Sequence, residues 1–341
     1  IVVVLAVIAV LLYPARNLQL GVEGIESLPK DASPVTAQQI AVGQLGFPQR
    51  GATLVVAHPV TTPAQTATIE QRLRAAAEGS AVRGPADVPP PLESEYLHGG
   101  YAVFELTQPA GDNSPATHAW LDRIRAVQPP PGVTLSLTGE AAIYQDFLSA
   151  LTSDFPKILG TVLVATLVLL GIAFRSVVLP IKAIVMNLLS VGAALGVLTW
   201  GFQEGHLASL LDFQAVGFVD ATLPIIVFAA LFGISMDYEV FLLSRIREEW
   251  IAGAPNPRAV ALGMERTGQI ITSAALILVT VSSTLGLSNL TLDKALGVSF
   301  AAAIVVDATL IRLLLVPAFM RILGDLNWWP ARHRPAAAPP D

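Results

Sequence analysis

Asp237 and Tyr238 stand side by side near the end of a long apolar stretch that begins at Ala221. A carboxylate within a membrane costs about 2.5–3.5 kcal/mol on insertion scales, so a chain that carries one has a use for its charge. Proton carriage is the chemistry such a pair can do. Desolvation stabilises the neutral acid, while water or a donor such as the Tyr hydroxyl stabilises the ionised form. Helical spacing puts Asp237 on one face with Ala230, Gly233 and Ser244. Small residues let another helix come close, which predicts that the carboxylate faces the bundle interior rather than lipid. The competing reading has Asp237 reaching water near Arg245, two turns or so away, but Asp is short for that.

Other polar groups in apolar stretches call for the same weighing. Asp307 and Arg312 are five residues apart, about 140° around an α-helix, and are therefore predicted not to pair directly. Arg312 is expected to snorkel to the cytoplasmic end. Asp307, near mid-span, needs a partner elsewhere, as a structural group or as part of a relay. Ser273, Thr280 and Thr284 lie near one helix face, where they either line a hydrated path or hold helices together. Asn187 and Ser190 permit the same two readings. His58, His98 and His118 are scattered without metal-ligand spacing and read as solvated surface residues. There is no Gly-rich phosphate loop and no supported Ser/His/Asp arrangement, so neither an enzyme nor a cofactor is expected.

The elements that position these residues are those of a membrane protein. Of 341 residues 53% are hydrophobic and only 13% charged, about half the charge of a typical soluble domain. Residues 14–155 hold 8 Lys/Arg against 14 Asp/Glu, which accounts for the whole net charge of −6 and speaks against nucleic-acid binding. Cysteine is absent, so thiolate metal sites and disulfides are excluded. Residues 1–13 are apolar but too short to span about 30 Å, and are expected to be the outer end of a truncated transmembrane helix. Residues 14–155 alternate strand and helix patterns: strand Thr53–Ala57, helix Pro63–Glu78 with Glu70, Arg72 and Arg74 exposed, and a loop at Pro89–Pro91. Strand Tyr101–Thr107, helix Ser114–Val127 and strand Val133–Thr138 follow. That order suggests a ferredoxin-like βαβ module of the α+β class.

Five full spans are expected within 156–320: Pro156–Phe174, Val177–Trp200, Ala221–Leu243, Ile270–Leu287 and Leu296–Met320. A loop helix is predicted with Asn256 as its cap, Pro257 in its first turn and Gly268 at its end. Glu248 and Glu249 read as solvated charges. Arg175, Arg245, Arg247, Arg258, Arg266, Arg321, Arg332 and Arg334 fall on one side, and the two short loops opposite carry only Lys294. The positive-inside rule makes the arginine side cytoplasmic, including the tail 321–341, and places 14–155 outside. The expected fold is thus an α-helical polytopic bundle, one partial plus five full spans, with an α+β extracytoplasmic domain.

The run Phe232-Gly-Ile-Ser-Met-Asp-Tyr-Glu-Val-Phe-Leu-Leu-Ser-Arg245 resembles the signature of MMPL (mycobacterial membrane protein large) transporters of the resistance-nodulation-division superfamily. The resemblance extends through Phe174-Arg-Ser176, Leu179-Pro180, Ile271-Thr-Ser-Ala-Ala275, Asp307-Ala-Thr-Leu-Ile-Arg312 and Gly324-Asp-Leu-Asn-Trp-Trp-Pro330. It implies one repeat of a two-repeat exporter of lipids or other amphipathic molecules in the bacterial inner membrane, with a porter-like domain at 14–155. The Glu after Asp-Tyr and the Trp-Trp tail resemble the second repeat. The resemblance further implies that a proton gradient drives export through a relay at Asp237 and Tyr238, while Asp307, Arg312, Ser273, Thr280 and Asn187, by their residue types, either extend such a relay or support it structurally. The expected partners are the membrane, the substrate, and a first repeat or second copy, with homo-oligomers a further expectation. Other readings are a receptor or assembly factor that keeps the fold, and a sterol, hopanoid or protein-translocation relative.

Overall fold

The computed structural model describes residues 1–29, 31–45 and 51–330, apart from the side chain of Glu26. The chain opens with α1 (Val2–Leu12) and β1 (Leu20–Gly21), then α2 (Ser33–Gly43), β2 (Ala52–His58), α3 (Pro63–Ala76) and β3 (Val82–Arg83). Next come α4 (Pro90–Tyr96), β4 (Leu97–His98), β5 (Tyr101–Thr107), α5 (Pro115–Arg125), β6 (Thr134–Thr138) and α6 (Glu140–Phe174). The remainder is α7 (Val178–Leu198), α8 (Ala208–Leu211), β7 (Val219–Asp220), α9 (Thr222–Ile251), α10 (Asn256–Leu285), α11 (Thr291–Val306) and α12 (Val316–Leu323). The chain divides into two compact units, 33–152 and the remainder.

The smaller unit is built on an antiparallel sheet in the order β3-β5-β2-β6, with β4 pairing β5 as well. β2 alternates strictly, with Thr53, Val55 and Ala57 buried, so one face of the sheet meets the helices. Ile69 and Leu73 of α3 and Trp120, Leu121 and Ile124 of α5 close the core over Val55, Ala57, Phe104 and Leu106. Thr62 and Gln65 form a capping box at the start of α3, and Ser114 caps α5. Pro90 and Pro91 do not sit in a loop: they open α4, because proline suits a first helical turn whose N–H groups are unpaired anyway. Glu70 also departs from expectation. Its side chain is mostly buried, in an ion pair with Arg74 one turn on.

Among the described residues five helices are long and apolar enough to cross a membrane: α6, α7, α9, α10 and the run from α11 to Trp328. α7 sits centrally, packing on α1, α9 and α11, and α10 packs on α9 and α11. The apolar faces of α6 and α10 are largely exposed, at residues such as Val168, Leu169, Leu276 and Ile277, as lipid-facing surfaces are. Gly196 is required where α7 meets α1, since a Cβ there would collide with the Leu11 carbonyl oxygen.

α10 runs unbroken through the predicted loop helix and the fourth span. Gly268 lies inside it, because one glycine costs only about 1 kcal/mol and the turns on both sides hold. Asn256 makes no cap either. It is buried, and its Nδ2 donates to the Met320 carbonyl at 2.9 Å. Asn327 donates to the same carbonyl at 2.8 Å, Ser176 Oγ donates to Asn327 O at 2.6 Å, and Trp250 stacks on Trp328. The Gly324–Pro330 motif therefore ties the arginine-bearing end of the bundle together. Glu249 belongs to that end as well, paired with Arg266 at 2.6 Å rather than merely solvated.

Candidate functional site

Three inner helices meet around Asp307. The run from α11 to α12 passes through a π-helical stretch, Asp307–Leu315, whose hydrogen bonds reach i→i+5. That spacing stacks Asp307 and Arg312 nearly one above the other, where an α-helix would turn them apart. Arg312 Nη2 lies 2.5 Å from Asp307 Oδ2, and their side chains are 4% and 11% exposed. Direct pairing and burial both correct the expectation that the two could not meet and that Arg312 would snorkel. Pro317, just beyond, lacks the N–H of a regular ladder and suits a change of helical pitch.

Two serines complete the centre. Ser190 of α7 and Ser235 of α9 donate to Asp307 Oδ1 at 2.8 and 2.9 Å. Arg312 Nη2 donates to both the carbonyl and the hydroxyl of Ser235, each at 2.9 Å. The Arg312 guanidinium lies 5.3 Å from the ring centre of Tyr238. A cavity of about 20 Å³, lined in part by Ser190, Ser235, Tyr238, Asp307 and Arg312, adjoins the pair and has room for about one water molecule. A carboxylate held between two hydroxyls and a guanidinium is a buried, fully hydrogen-bonded ion pair that joins three helices.

The remaining candidates fall elsewhere. Asp237 is exposed, on the outward side of α9 with Gly233, and not in the bundle interior. The reason is the stripe α9 buries, which runs through Phe232, Ser235, Glu239, Leu242 and Ile246 and leaves 237 opposite. Tyr238, half-buried, is the member of the Asp-Tyr pair that reaches the centre. Ser273, Thr280 and Thr284 are exposed on α10, so the path expected along them does not adjoin Asp307. Thr280 and Thr284 donate to carbonyls of their own helix, while α10 presents Ile271, Ala275 and Leu278 to the cavity. Asn187 is buried, with its Nδ2 unpaired in the protein. Among the described residues no cluster of His, Asp and Glu could hold a metal ion, and His58 instead stacks on Tyr101.

Sequence reasoning passed over Lys182 of α7 and Glu239 of α9, both buried within apolar helices. Charge inside a span was the available signal. Lys182 lies close to the arginine-bearing end, where a long cation can snorkel, and Glu239 enters the sequence reading only as part of a motif.

Among the described residues five membrane-length helices, with a buried charge centre between the inner ones, mark a multi-pass membrane protein. The MMPL family profile matches residues 98–340, and the chain belongs to the MMPL family. It is 35% identical to the trehalose monomycolate exporter MmpL3 of Mycobacterium tuberculosis, over 96% of this chain and 35% of that protein. It is also 41% identical to the mycolic acid-containing lipids exporter MmpL11 of Mycolicibacterium smegmatis, over 58% of this chain and 21% of that one. A heme uptake protein MmpL11 of Mycobacterium tuberculosis is 43% identical over 56% of the chain and 20% of its own length. The chain thus spans about a third of the length of its MmpL3 relative.

Proposed function

We propose that this chain is the second repeat of an exporter that moves lipids or other amphipathic molecules across the bacterial inner membrane, driven by the proton-motive force. The observation that carries the reading is the buried Asp307–Arg312 pair, clasped by serines from two other helices. Protonating Asp307 leaves Arg312 without its counter-charge, and deprotonating it restores the pair. Such a centre couples a proton to the contact between α7, α9 and the last helix. Two relatives named as lipid exporters support the class of cargo.

Asp237 and Tyr238 join the relay from the outward side of α9. A carboxylate facing out of an apolar bundle needs a polar partner, which the first repeat of a longer chain, or a second copy, would supply. Tyr238, beside Arg312, links that face to Asp307. Asn187 supports the centre from α7, while Ser273 and Thr280, exposed on α10, are free to meet a neighbouring repeat or copy. The strand order β3-β5-β2-β6 supports a ferredoxin-like, porter-like domain that contacts cargo and performs no chemistry. By the arginine asymmetry that domain lies outside and the C-terminus in the cytoplasm. No cofactor or nucleic acid takes part.

The test uses the complete transporter in proteoliposomes with an imposed pH gradient. Asp307→Asn and Asp237→Asn each keep the shape but not the titration, and should drop export to background. Export by Asp307→Asn at the normal rate, at equal protein level, would refute the proton role.

A further inference from the structure

Lys182 and Glu239 take no part in the centre described above. They are 6% and 4% exposed, and neither Lys182 Nζ nor Glu239 Oε1 has a hydrogen-bond partner in the protein. Asn187 Nδ2, on α7 between Lys182 and Ser190, is likewise unpaired. Each charge feels the other: Glu239 is the charged group acting on Lys182, and Lys182 acts most strongly on Glu239, ahead of Arg312 and Asp307. A buried polar atom without a partner is costly, so native chains keep few of them, often where a proton or water is exchanged.

Position adds a direction. Glu239 is one turn beyond Ser235 in α9, about 6 Å along the axis toward Arg245. Lys182 lies in the first turns of α7, which begins next to Arg175. Both are therefore displaced from Asp307 toward the same arginine-bearing end. Ser235, which hydrogen-bonds Asp307 and Arg312, sits between Glu239 and the centre along α9.

We propose that Glu239, buried and with Oε1 unpaired in the protein, is a second proton-binding group of the bundle, and that protons pass through it between Asp307 and the arginine-bearing end. The inference rests on reading Asp307 as a proton carrier. In the inward-carrying step the Asp307 carboxylate takes up a proton, forming an O–H bond, and then gives that proton to the Glu239 carboxylate. The O–H bond at Asp307 breaks and one forms at Glu239. Water at the arginine-bearing end then takes the proton as hydronium, and Glu239 is again a carboxylate. No other reactant is needed.

The experiment uses the full-length transporter, with proton entry read by a pH dye inside proteoliposomes and protonated carboxyl groups read by infrared difference spectra between acid and alkaline samples. Glu239→Gln should bring coupled proton flux to background and remove one carboxyl band, while Glu239→Asp keeps a measurable flux and a shifted band. The double variant Glu239→Gln/Lys182→Met, which leaves no lone charge behind, should fold and remain inactive. A merely structural pair predicts the opposite: the double variant recovers normal flux, or the carboxyl bands are the same with and without Glu239. Either result overturns the proposal. If Glu239→Gln fails to fold, Glu239→Asp decides, since an unshifted band there overturns it too. Normal export by Asp307→Asn, alongside loss of the Glu239 band, would sink the reading of Asp307 and leave the second proton site standing.

Discussion

Arg312 makes its contacts through one guanidinium nitrogen, to a carboxylate, a hydroxyl and a carbonyl, all out of water. Removing one partner of a buried ion pair leaves the other charge uncompensated, at a cost of about 3–5 kcal/mol, whereas replacing both by apolar groups is often neutral. Arg312→Met should accordingly lower the unfolding midpoint in detergent much more than Asp307→Leu/Arg312→Met does, and both should abolish export. Equal midpoints for the single and double variants would mean that the pair carries no such penalty. A second residue-scale effect lies in the sheet unit. The Gly84 N–H, at 2.9 Å, and then the Arg74 guanidinium hold the Asp87 carboxyl below the usual carboxylate range. A lowered pKa stabilises the fold above the ordinary value of about 3.9, and that contribution is lost as the pH falls through the lowered value. Asp87→Asn should therefore speed amide exchange in β3 and β5 near neutral pH, by the equivalent of about 0.5–1 kcal/mol. Near pH 3 the difference from the parent protein should shrink.

Among the elements, the π-helical stretch and the close helix crossings decide what the side chains can do. A run of apolar residues with one aspartate and one arginine five positions on reads as a regular helix, and only the wider turn brings the two together. The α1–α7 crossing is as tight in its own way, since backbone meets backbone at Gly196. Gly196→Ala should cost about 1–3 kcal/mol, because the Leu11 carbonyl cannot move aside as a flexible side chain would. Gly160→Ala, in α6 with open space around it, should be neutral or raise stability by up to about 1 kcal/mol. Thermal midpoints in detergent compare the two. Equal effects would mean that α1 and α7 do not approach as described.

For the whole molecule, orientation is the quantity to test, and the absence of native cysteine makes every introduced thiol unique. Cysteine at exposed Ser94 should react with an impermeant reagent from outside intact cells, and cysteine at exposed Ala252 only after the membrane is opened. Asn256 is unsuitable as a label site because it is buried at the arginine-bearing end. Reaction of position 252 in intact cells would reverse the assignment.

Apolar length, arginine asymmetry and strand alternation are local properties, so the membrane-spanning helices and the strands Ala52–His58, Tyr101–Thr107 and Thr134–Thr138 were legible to within a residue or two at most strand ends. The long ordered motifs carried the family for the same reason. The direction each intramembrane charge faces is different, because it depends on which stripe of a helix its neighbours cover. All faces of α9 are apolar enough to be buried, and packing against α7, α10 and α11 chose the one with Ser235 and Glu239, turning Asp237 outward. Helical pitch was likewise beyond a pattern of residues, since Asp307 and Arg312 pair only if the chain leaves the α-helix between them. Tertiary structure alone therefore decided which carboxylate is held at the centre of the bundle, and which buried charges, Lys182 and Glu239, are left beside it without partners.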